Sequence, residues 1–159
     1  MNATTELRPL EQTDLERVFA MMREPEAVSM AAFTAENPDD REAFDAHMAR
    51  LLVNPDVHNW AVLSGGGEFV GTIATFRSEE GAPEVTYWIS QAHWGQGHAS
   101  RALALVLART KRPVLARVAA DNYGSLRILQ KAGFVVVGQG RDYAPGRHAE
   151  VDELALELP

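Results

Sequence analysis

The segment Pro83–Arg109 most constrains the fold, because it joins a predicted strand to a predicted helix through two glycines. Residues 84–90 are rich in β-branched and aromatic side chains, which favour a half-buried strand. From Ala99 onward, apolar residues recur at the three- and four-residue spacing of one helical face. Gly95 and Gly97 let the backbone pass close to a ligand, and the first amides of the helix have no intrahelical partner. The segment therefore predicts a phosphate-binding site.

Two widespread phosphate-binding motifs fit this segment poorly. A Walker A loop requires Gly-Lys followed by Ser or Thr, and the chain contains neither combination. A dinucleotide fingerprint requires a third glycine, and Ser100 stands in its place. The dinucleotide interpretation is therefore weak.

Residues 94–99, with the sequence W-G-Q-G-H-A, resemble the signature [QR]-x-x-G-x-[GA] of the GNAT superfamily of acetyltransferases. Trp94 departs from the Gln or Arg that is usual there. The W-G-x-G-x-A pattern is similar to the branch that includes the ribosomal-protein alanine N-acetyltransferases. That branch commonly has an acidic residue and a Tyr-Trp pair in the preceding strand, which Glu84, Tyr87 and Trp88 match.

A second motif supports the same resemblance. Asn122-Tyr123-Gly124-Ser125, followed by Lys131-Ala132-Gly133-Phe134, is similar to the N-x-x-S and K-x-G-F motifs of the branch. The detailed resemblance covers roughly the C-terminal half of the chain. It implies a GNAT fold, of mixed α/β class, with a mostly antiparallel central sheet, a parallel β-α-β core and helices on both faces.

The resemblance also implies a binding site for the cosubstrate acetyl-coenzyme A. Its pyrophosphate would lie against the amides of residues 95–100, and its pantetheine arm would add like a strand beside residues 88–90, whose amides could stabilise an oxyanion. His98 either helps to hold phosphate or is exposed to solvent. The expected contacts are Trp88, Ile89, Ser90, Gly95, Gln96, Gly97, His98, Ala99, Ser100, Asn122 and Ser125.

Two residues are candidates for catalysis. Glu84 is the candidate general base, because an amine that is protonated at neutral pH must lose a proton before it can attack; the alternative is an exposed carboxylate at a strand edge. Ser125 either protonates the departing thiolate or binds the cosubstrate. Some relatives use a later tyrosine as the acid, but Leu129 occupies that position here. Tyr123 and Tyr143 remain as spare acids, with packing as the alternative role.

Composition limits the remaining possibilities. A chain of 159 residues fits a single domain spanning residues 1–159, and the lack of cysteine excludes a thiol nucleophile and disulfides. A net charge of −7 disfavours nucleic acid and suits a cationic substrate or simple solubility. The five histidines lack metal-ligand spacing, so we expect no metal. With no long apolar run and no signal-like start, we expect no membrane association, and a cytoplasmic monomer or homodimer.

The predicted order of elements is β-α-α-β-β-β-α-β-α-β-β. The first helix follows a capping box at Thr13–Glu16, the second begins near Asn37, and a hairpin turns at residues 64–67. Residues 138–148 are predicted to form a long functional loop that, by resemblance, borders the acceptor pocket. Met21, Met22 and Met30 either shape that pocket or belong to the core.

The resemblance implies an acetyl-coenzyme A-dependent N-acetyltransferase acting on a primary amine. The branch resemblance favours the α-amine of a protein or peptide N-terminus. A small-molecule amine is the alternative acceptor, and a non-catalytic acyl-coenzyme A sensor is the alternative class.

Overall fold

The computed structural model describes residues 4–159, which form seven strands in one mixed sheet and five α-helices. The strands are β1 (Thr5–Pro9), β2 (Val57–Ser64), β3 (Phe69–Arg77), β4 (Pro83–Ile89), β5 (Val114–Ala119), β6 (Val135–Ala144) and β7 (Ala149–Leu158). The helices are α1 (Leu15–Met21), α2 (Pro25–Ala31), α3 (Arg41–Val53), α4 (His98–Leu107) and α5 (Tyr123–Lys131).

The sheet has the order β1-β2-β3-β4-β5-β7-β6. Neighbouring strands are antiparallel except β4 and β5, which are parallel and connected through α4. This crossover confirms the predicted strand-helix-strand unit, because a parallel pair needs a long connection that a helix supplies.

Helices cover both faces of the sheet because side chains alternate along each strand. On β2, Val62 packs in the large core cluster together with α4 and α5. Its neighbour Ala61 packs in a second cluster with α1 and α3. Both residues have no exposed surface. Leu156 and Leu158 of β7 join the first cluster, as their alternation predicts.

The parallel junction at the centre of the sheet is short. Within residues 4–159, Glu84 and Leu115 are the one registered pair between β4 and β5. Both strands continue past this pair toward their carboxyl ends, where β4 reaches Ile89 and β5 reaches Ala119. The two strands therefore separate and leave a gap in the sheet.

The structure corrects the sequence predictions in the connections. Helix α2 is additional to the predicted elements and starts with Pro25 at its first position. Helix α3 begins at Arg41, where the Asp40 side chain caps it, instead of near Asn37. Residues 138–148 are not a long loop: β6 and β7 pair as far as Ala144 and Ala149 and leave a tight turn at 145–148.

The predicted capping box before the first helix is also displaced. The Asp14 carboxylate accepts a hydrogen bond of 2.8 Å from the Glu11 amide, at the start of a 3₁₀ turn that precedes α1. Arg8 donates two hydrogen bonds of 2.7 Å to the same carboxylate. These contacts hold the pKa of Asp14 below its usual value despite its burial.

Candidate active site

A cavity of about 350 Å³ opens where β4 and β5 separate. Helix α2 and the ends of β4, α4 and α5 surround it. Strand β4 contributes Tyr87, Trp88 and Ile89 to its lining, and α2 contributes Ala27, Met30 and Ala31. From the glycine loop, α4 and α5, it includes His93, Trp94, Gly95, Gly97, His98, Ala99, Ser100, Asn122, Gly124, Ser125 and Ile128.

Most of the predicted cosubstrate contacts therefore lie in one cavity. Three predicted site residues lie outside its lining: Ser90, Gln96 and Glu84. Ser90 instead lines a smaller neighbouring cavity, and its amide bonds to the Val70 carbonyl.

The glycine loop has a backbone that only glycine adopts readily. Gly95 has φ +76° and Gly97 has φ +80°, in the left-handed region. Gly97 is the N-cap of α4, and a Cβ there would lie 2.6 Å from Nη1 of Arg101. The Arg101 guanidinium also donates a 2.8 Å hydrogen bond to the Gln96 carbonyl. The loop is thus fixed close to the first amides of α4, which are free to bind an anion.

His98 is the first residue of α4, and its side chain is buried, with 2% of its surface exposed. Its Nδ1 lies 2.9 Å from Oγ1 of Thr5, and its Nε2 lies 3.3 Å from Oε1 of Gln96. Burial, with a smaller contribution from Arg101, lowers the pKa of His98. The alternative of solvent exposure is therefore wrong. Nδ1 anchors α4 to β1, and Nε2 contacts the glycine loop.

Tyr87 and Ser125 form a pair inside the cavity. Their hydroxyl oxygens are 2.6 Å apart and connect β4 to α5. Burial raises the pKa of Tyr87 to about 12, and the contact with Ser125 opposes that increase. Tyr87 is therefore protonated at neutral pH. The sequence identified both residues separately but gave no signal of their contact, which depends on how α5 packs on the sheet.

Asn122, predicted as a cosubstrate contact, is the N-cap of α5. Its side-chain oxygen accepts a hydrogen bond of 3.3 Å from the Ser125 amide. Because Asn122 and Ser125 both line the cavity, the same contact that starts the helix also positions two polar side chains at the cavity wall.

Glu84 is buried, with 8% of its surface exposed, so the exposed strand-edge alternative is wrong. Its Oε2 accepts a hydrogen bond of 3.2 Å from Nε of Arg117, and the charge of Glu84 raises the pKa of Arg117. Half-buried Glu153 on β7 belongs to the same group of charges. Burial raises the pKa of Glu153; Arg117 opposes that increase and Glu84 adds to it. Glu153 has no motif that sequence analysis could have recognised.

Contacts at both of its ends hold α2 against the cavity. At the start, the Glu24 carboxylate accepts a hydrogen bond of 3.1 Å from the Gln91 amide. At the end, the turn between β6 and β7 contacts α2. The Gly146 amide donates a hydrogen bond of 2.8 Å to the Ala32 carbonyl, and the Arg147 guanidinium donates one to the Ser29 carbonyl. Arg147 also binds both carboxylate oxygens of Asp121, just before α5, at 2.6 and 2.7 Å.

The cavity contains buried polar atoms without a partner. In the part of the chain that the structure describes, three buried side-chain nitrogens make no hydrogen bond: Asn59 Nδ2, Trp88 Nε1 and His93 Nδ1. Two of the three, those of Trp88 and His93, belong to residues that line the cavity. Buried polar groups are nearly always satisfied in folded proteins, so this cavity has the character of a site that a polar ligand completes.

The chain belongs to the GNAT acetyltransferases: residues 5–135 match the family described as "Acetyltransferase (GNAT) domain". It is thus an acyltransferase enzyme, and members of this family take acetyl-coenzyme A as the acetyl donor. The predicted fold and enzyme class are confirmed. None of the helices within residues 4–159 has the length and apolar composition to cross a membrane.

Individual relatives agree with this assignment. The Bacillus subtilis (strain 168) protein "Probable N-acetyltransferase YjcK" is 29% identical over 158 residues, covering 87% of this chain and 84% of its own. Spermidine N-acetyltransferase from Vibrio cholerae, in complex with coenzyme A and spermine, has a TM-score of 0.70 at 19% identity, covering 97% of this chain and 95% of that one. A GCN5-related N-acetyltransferase from Kribbella flavida has a TM-score of 0.76 at 17% identity, with coverages of 98% and 97%.

Proposed function

We propose that this acetyltransferase, acting as a single domain, transfers acetyl to the α-amine of a protein or peptide N-terminus by direct attack in a ternary complex. The observation that carries the proposal is that one cavity contains both a candidate anion-binding loop and a pair of hydrogen-bonded hydroxyl groups. The glycine loop and the free amides of α4 lie at one side of it, and the Tyr87–Ser125 pair connects β4 to α5 within it.

The cavity fits acetyl-coenzyme A. The amides after Gly97 suit the diphosphate, because a helix N-terminus attracts anions. The separated strands suit the pantetheine arm, because on its β5 side β4 has no registered partner beyond Glu84, so its backbone groups on that side can bond to an extended chain. Trp88 supplies a buried indole N–H without a partner for a ligand oxygen. Bound acetyl-coenzyme A supplies an activated acetyl group as a thioester.

Glu84 is the proposed general base. Because it does not line the cavity, it would accept the amine proton through a water molecule. Its contact with Arg117 keeps the carboxylate in place, and Arg117 is itself largely exposed. Arg117 and Glu153 thus place one positive and one further negative charge beside the base.

Ser125 is the proposed partner of the departing thiolate. Tyr87, whose pKa is about 12, is too weak an acid to transfer its proton fully to a thiolate, whose conjugate thiol has a pKa near 8.5. Its role is to hydrogen-bond Ser125 and hold that hydroxyl in position. The Ser125 hydroxyl then stabilises the thiolate by hydrogen bonding, and solvent supplies the proton.

Two arguments favour an N-terminal α-amine. The sequence resembles the branch of ribosomal-protein alanine N-acetyltransferases in both of its motifs. An α-amine with a pKa near 7.7 also loses its proton more easily than a lysine near 10.4, by roughly 3.7 kcal/mol at fixed pH. The second candidate acceptor is a small cationic amine, which the half-buried Glu153 and buried Glu84 favour by charge.

The test is a coenzyme A release assay with peptides that differ only at the N-terminal residue, run beside spermidine, free amino acids and an N-terminally blocked peptide with internal lysine. We expect turnover with free N-termini and little with the blocked peptide. Turnover confined to spermidine or another small amine would move the function to the second candidate. Binding of acetyl-coenzyme A without turnover of any acceptor would indicate a sensor instead.

A further inference from the structure

His93 lies in the short 3₁₀ turn between β4 and the glycine loop and lines the cavity. Its Nε2 is 3.1 Å from Oε1 of Glu68, which lies just before β3. Because a carboxylate only accepts hydrogen bonds, Nε2 carries a proton in this contact. The other ring nitrogen, Nδ1, is buried and has no partner in the described chain. Glu68 thus fixes the ring while one nitrogen remains available.

The ring lies close to the start of α4. Its centroid is 6.3 Å from the centroid of the His98 ring, and His98 is the first residue of that helix. The two histidines differ in whether a ring nitrogen is left without a hydrogen-bond partner. Both nitrogens of His98 have protein partners, and its lowered pKa keeps it neutral. His93 is therefore the histidine at this end of the cavity with a nitrogen to offer a ligand.

We propose that His93 is a further binding residue for the diphosphate of the cosubstrate: its doubly protonated ring would donate from Nδ1–H to a phosphate oxygen and from Nε2–H to Glu68, its positioning residue. The inference rests on the proposed function, because it assumes that coenzyme A occupies this cavity. A phosphate at Nδ1 and the Glu68 carboxylate at Nε2 both attract the protonated ring. His98, whose ring faces that of His93, and Arg101, which lies beside His98, are further charged or titratable groups at this end of the cavity, both on α4.

This arrangement divides anion binding between backbone and side chain. The amides of α4 provide fixed partial charges, whereas His93 provides a full charge in its protonated form. The competing explanation is purely structural: the contact between His93 and Glu68 ties the turn at 91–93 to the start of β3 and has no role toward the ligand. The two explanations assign importance to different ring nitrogens.

Two substitutions separate the nitrogens. His93→Asn keeps a hydrogen-bonding group near the position of Nδ1, and His93→Gln keeps one near Nε2. Coenzyme A affinity is measured by calorimetry, and thermal unfolding checks that each variant folds. We expect His93→Gln to lower the affinity for coenzyme A about tenfold and His93→Asn to lower it less. The matched controls are His58→Gln and His58→Asn, at an exposed histidine on β2, which should bind like the wild type.

Glu68→Gln tests the positioning role. Introduced alone, it should lower the affinity for coenzyme A about threefold, and it should have no further effect when His93→Gln is already present. Pantetheine, which lacks the diphosphate, should bind the wild type and His93→Gln equally when measured by competition.

The outcomes are distinguishable. Equal coenzyme A affinity in the wild type and both His93 variants, or a larger loss in Asn than in Gln, would overturn this inference and leave the acetyltransferase assignment intact. An equal loss for pantetheine would overturn the assignment to the diphosphate. Failure of the wild type to bind coenzyme A at all would overturn the proposed site together with this inference.

Discussion

The two sides of the cavity are built in different ways. On the proposed cosubstrate side, the loop at 94–97 and the start of α4 take their shape from nearby residues, because Gly97 caps the helix and Arg101 bonds to Gln96 five residues earlier. On the opposite side, α2 is held by Gln91 and Arg147, which lie 67 and 118 residues along the chain from their partners. The shape of the glycine loop thus follows from nearby residues, with the contact between His98 and Thr5 as an added long-range anchor, whereas these contacts of α2 are all long-range.

This difference indicates how the two binding functions are distributed. A local backbone motif can bind the same phosphate groups in many proteins, whatever the rest of the chain does. A wall held by distant contacts changes whenever those contacts change, so it suits the part of the site that selects an acceptor. The predictions below test whether changes on each side affect only the corresponding ligand.

The largest effect is expected from Gly97→Glu. A side chain at φ +80° is strained, its Cβ would lie 2.6 Å from Arg101, and its carboxylate would repel the diphosphate. Coenzyme A affinity, measured by calorimetry, should fall about a hundredfold or more. The control is Gly140→Glu, which adds the same charge where nothing lies within 4 Å of a Cβ. Undiminished affinity in Gly97→Glu would remove the glycine loop from the site.

Glu84→Gln should lower turnover by about a hundredfold at neutral pH, because the amide cannot accept the amine proton. Coenzyme A affinity should stay close to that of the wild type, since Glu84 lies outside the cavity lining. Glu80→Gln, at an exposed turn residue, is the matched control and should retain full turnover. If Glu84→Gln and the wild type turn over at the same rate, Glu84 is not the base.

Ser125→Ala should lower turnover by about tenfold, because the departing thiolate loses a hydrogen bond. Tyr87→Phe should have a smaller effect in the same direction, because it only frees the Ser125 hydroxyl to rotate. The double variant should be no slower than Ser125→Ala alone, since Tyr87 acts through Ser125. Fully additive effects in kcat would instead show that Tyr87 contacts the reacting atoms independently.

Arg147→Gln should have the smallest effect and should change the acceptor alone. Losing the contacts of Arg147 with Asp121 and with the Ser29 carbonyl loosens the end of α2, so KM for the amine should rise about threefold. Coenzyme A affinity should not change. Arg127→Gln, at an exposed position on α5, is the control. A loss of coenzyme A affinity equal to the loss of acceptor affinity would show that the two sides are not separate.

The sequence was informative where structure depends on neighbouring residues. A helix directly after the glycine loop and the parallel pairing of β4 with β5 were both predictable, because each follows from the order and spacing of neighbouring residues. Helix α2 was not predictable, because its seven residues, which include the polar Glu26 and Ser29, give too short a periodic pattern.

The β6–β7 hairpin was predicted too short for a different reason. Nearly every residue of β6 is exposed, so the strand lacks the alternation that marks a half-buried strand, and Gly138 and Gly140 read as loop residues. The Tyr87–Ser125 pair and the burial of Glu84 beside Arg117 join residues 33 to 38 positions apart. Such contacts follow from the packing of whole elements, which a single sequence does not specify.

The short junction between β4 and β5 divides the hydrogen bonding of the sheet into two parts. One half contains β1 to β4 and the other contains β5 to β7, and each half has its own continuous ladder of hydrogen bonds. Across residues 4–159 one registered pair links the halves, so backbone hydrogen bonds do little to fix the width of the gap between them. Its width is set by side-chain packing against α4 and α5. An extended ligand lying in the gap would contact both halves of the sheet. Amide hydrogen exchange along β4 and β5 would then report how firmly the ligand is held.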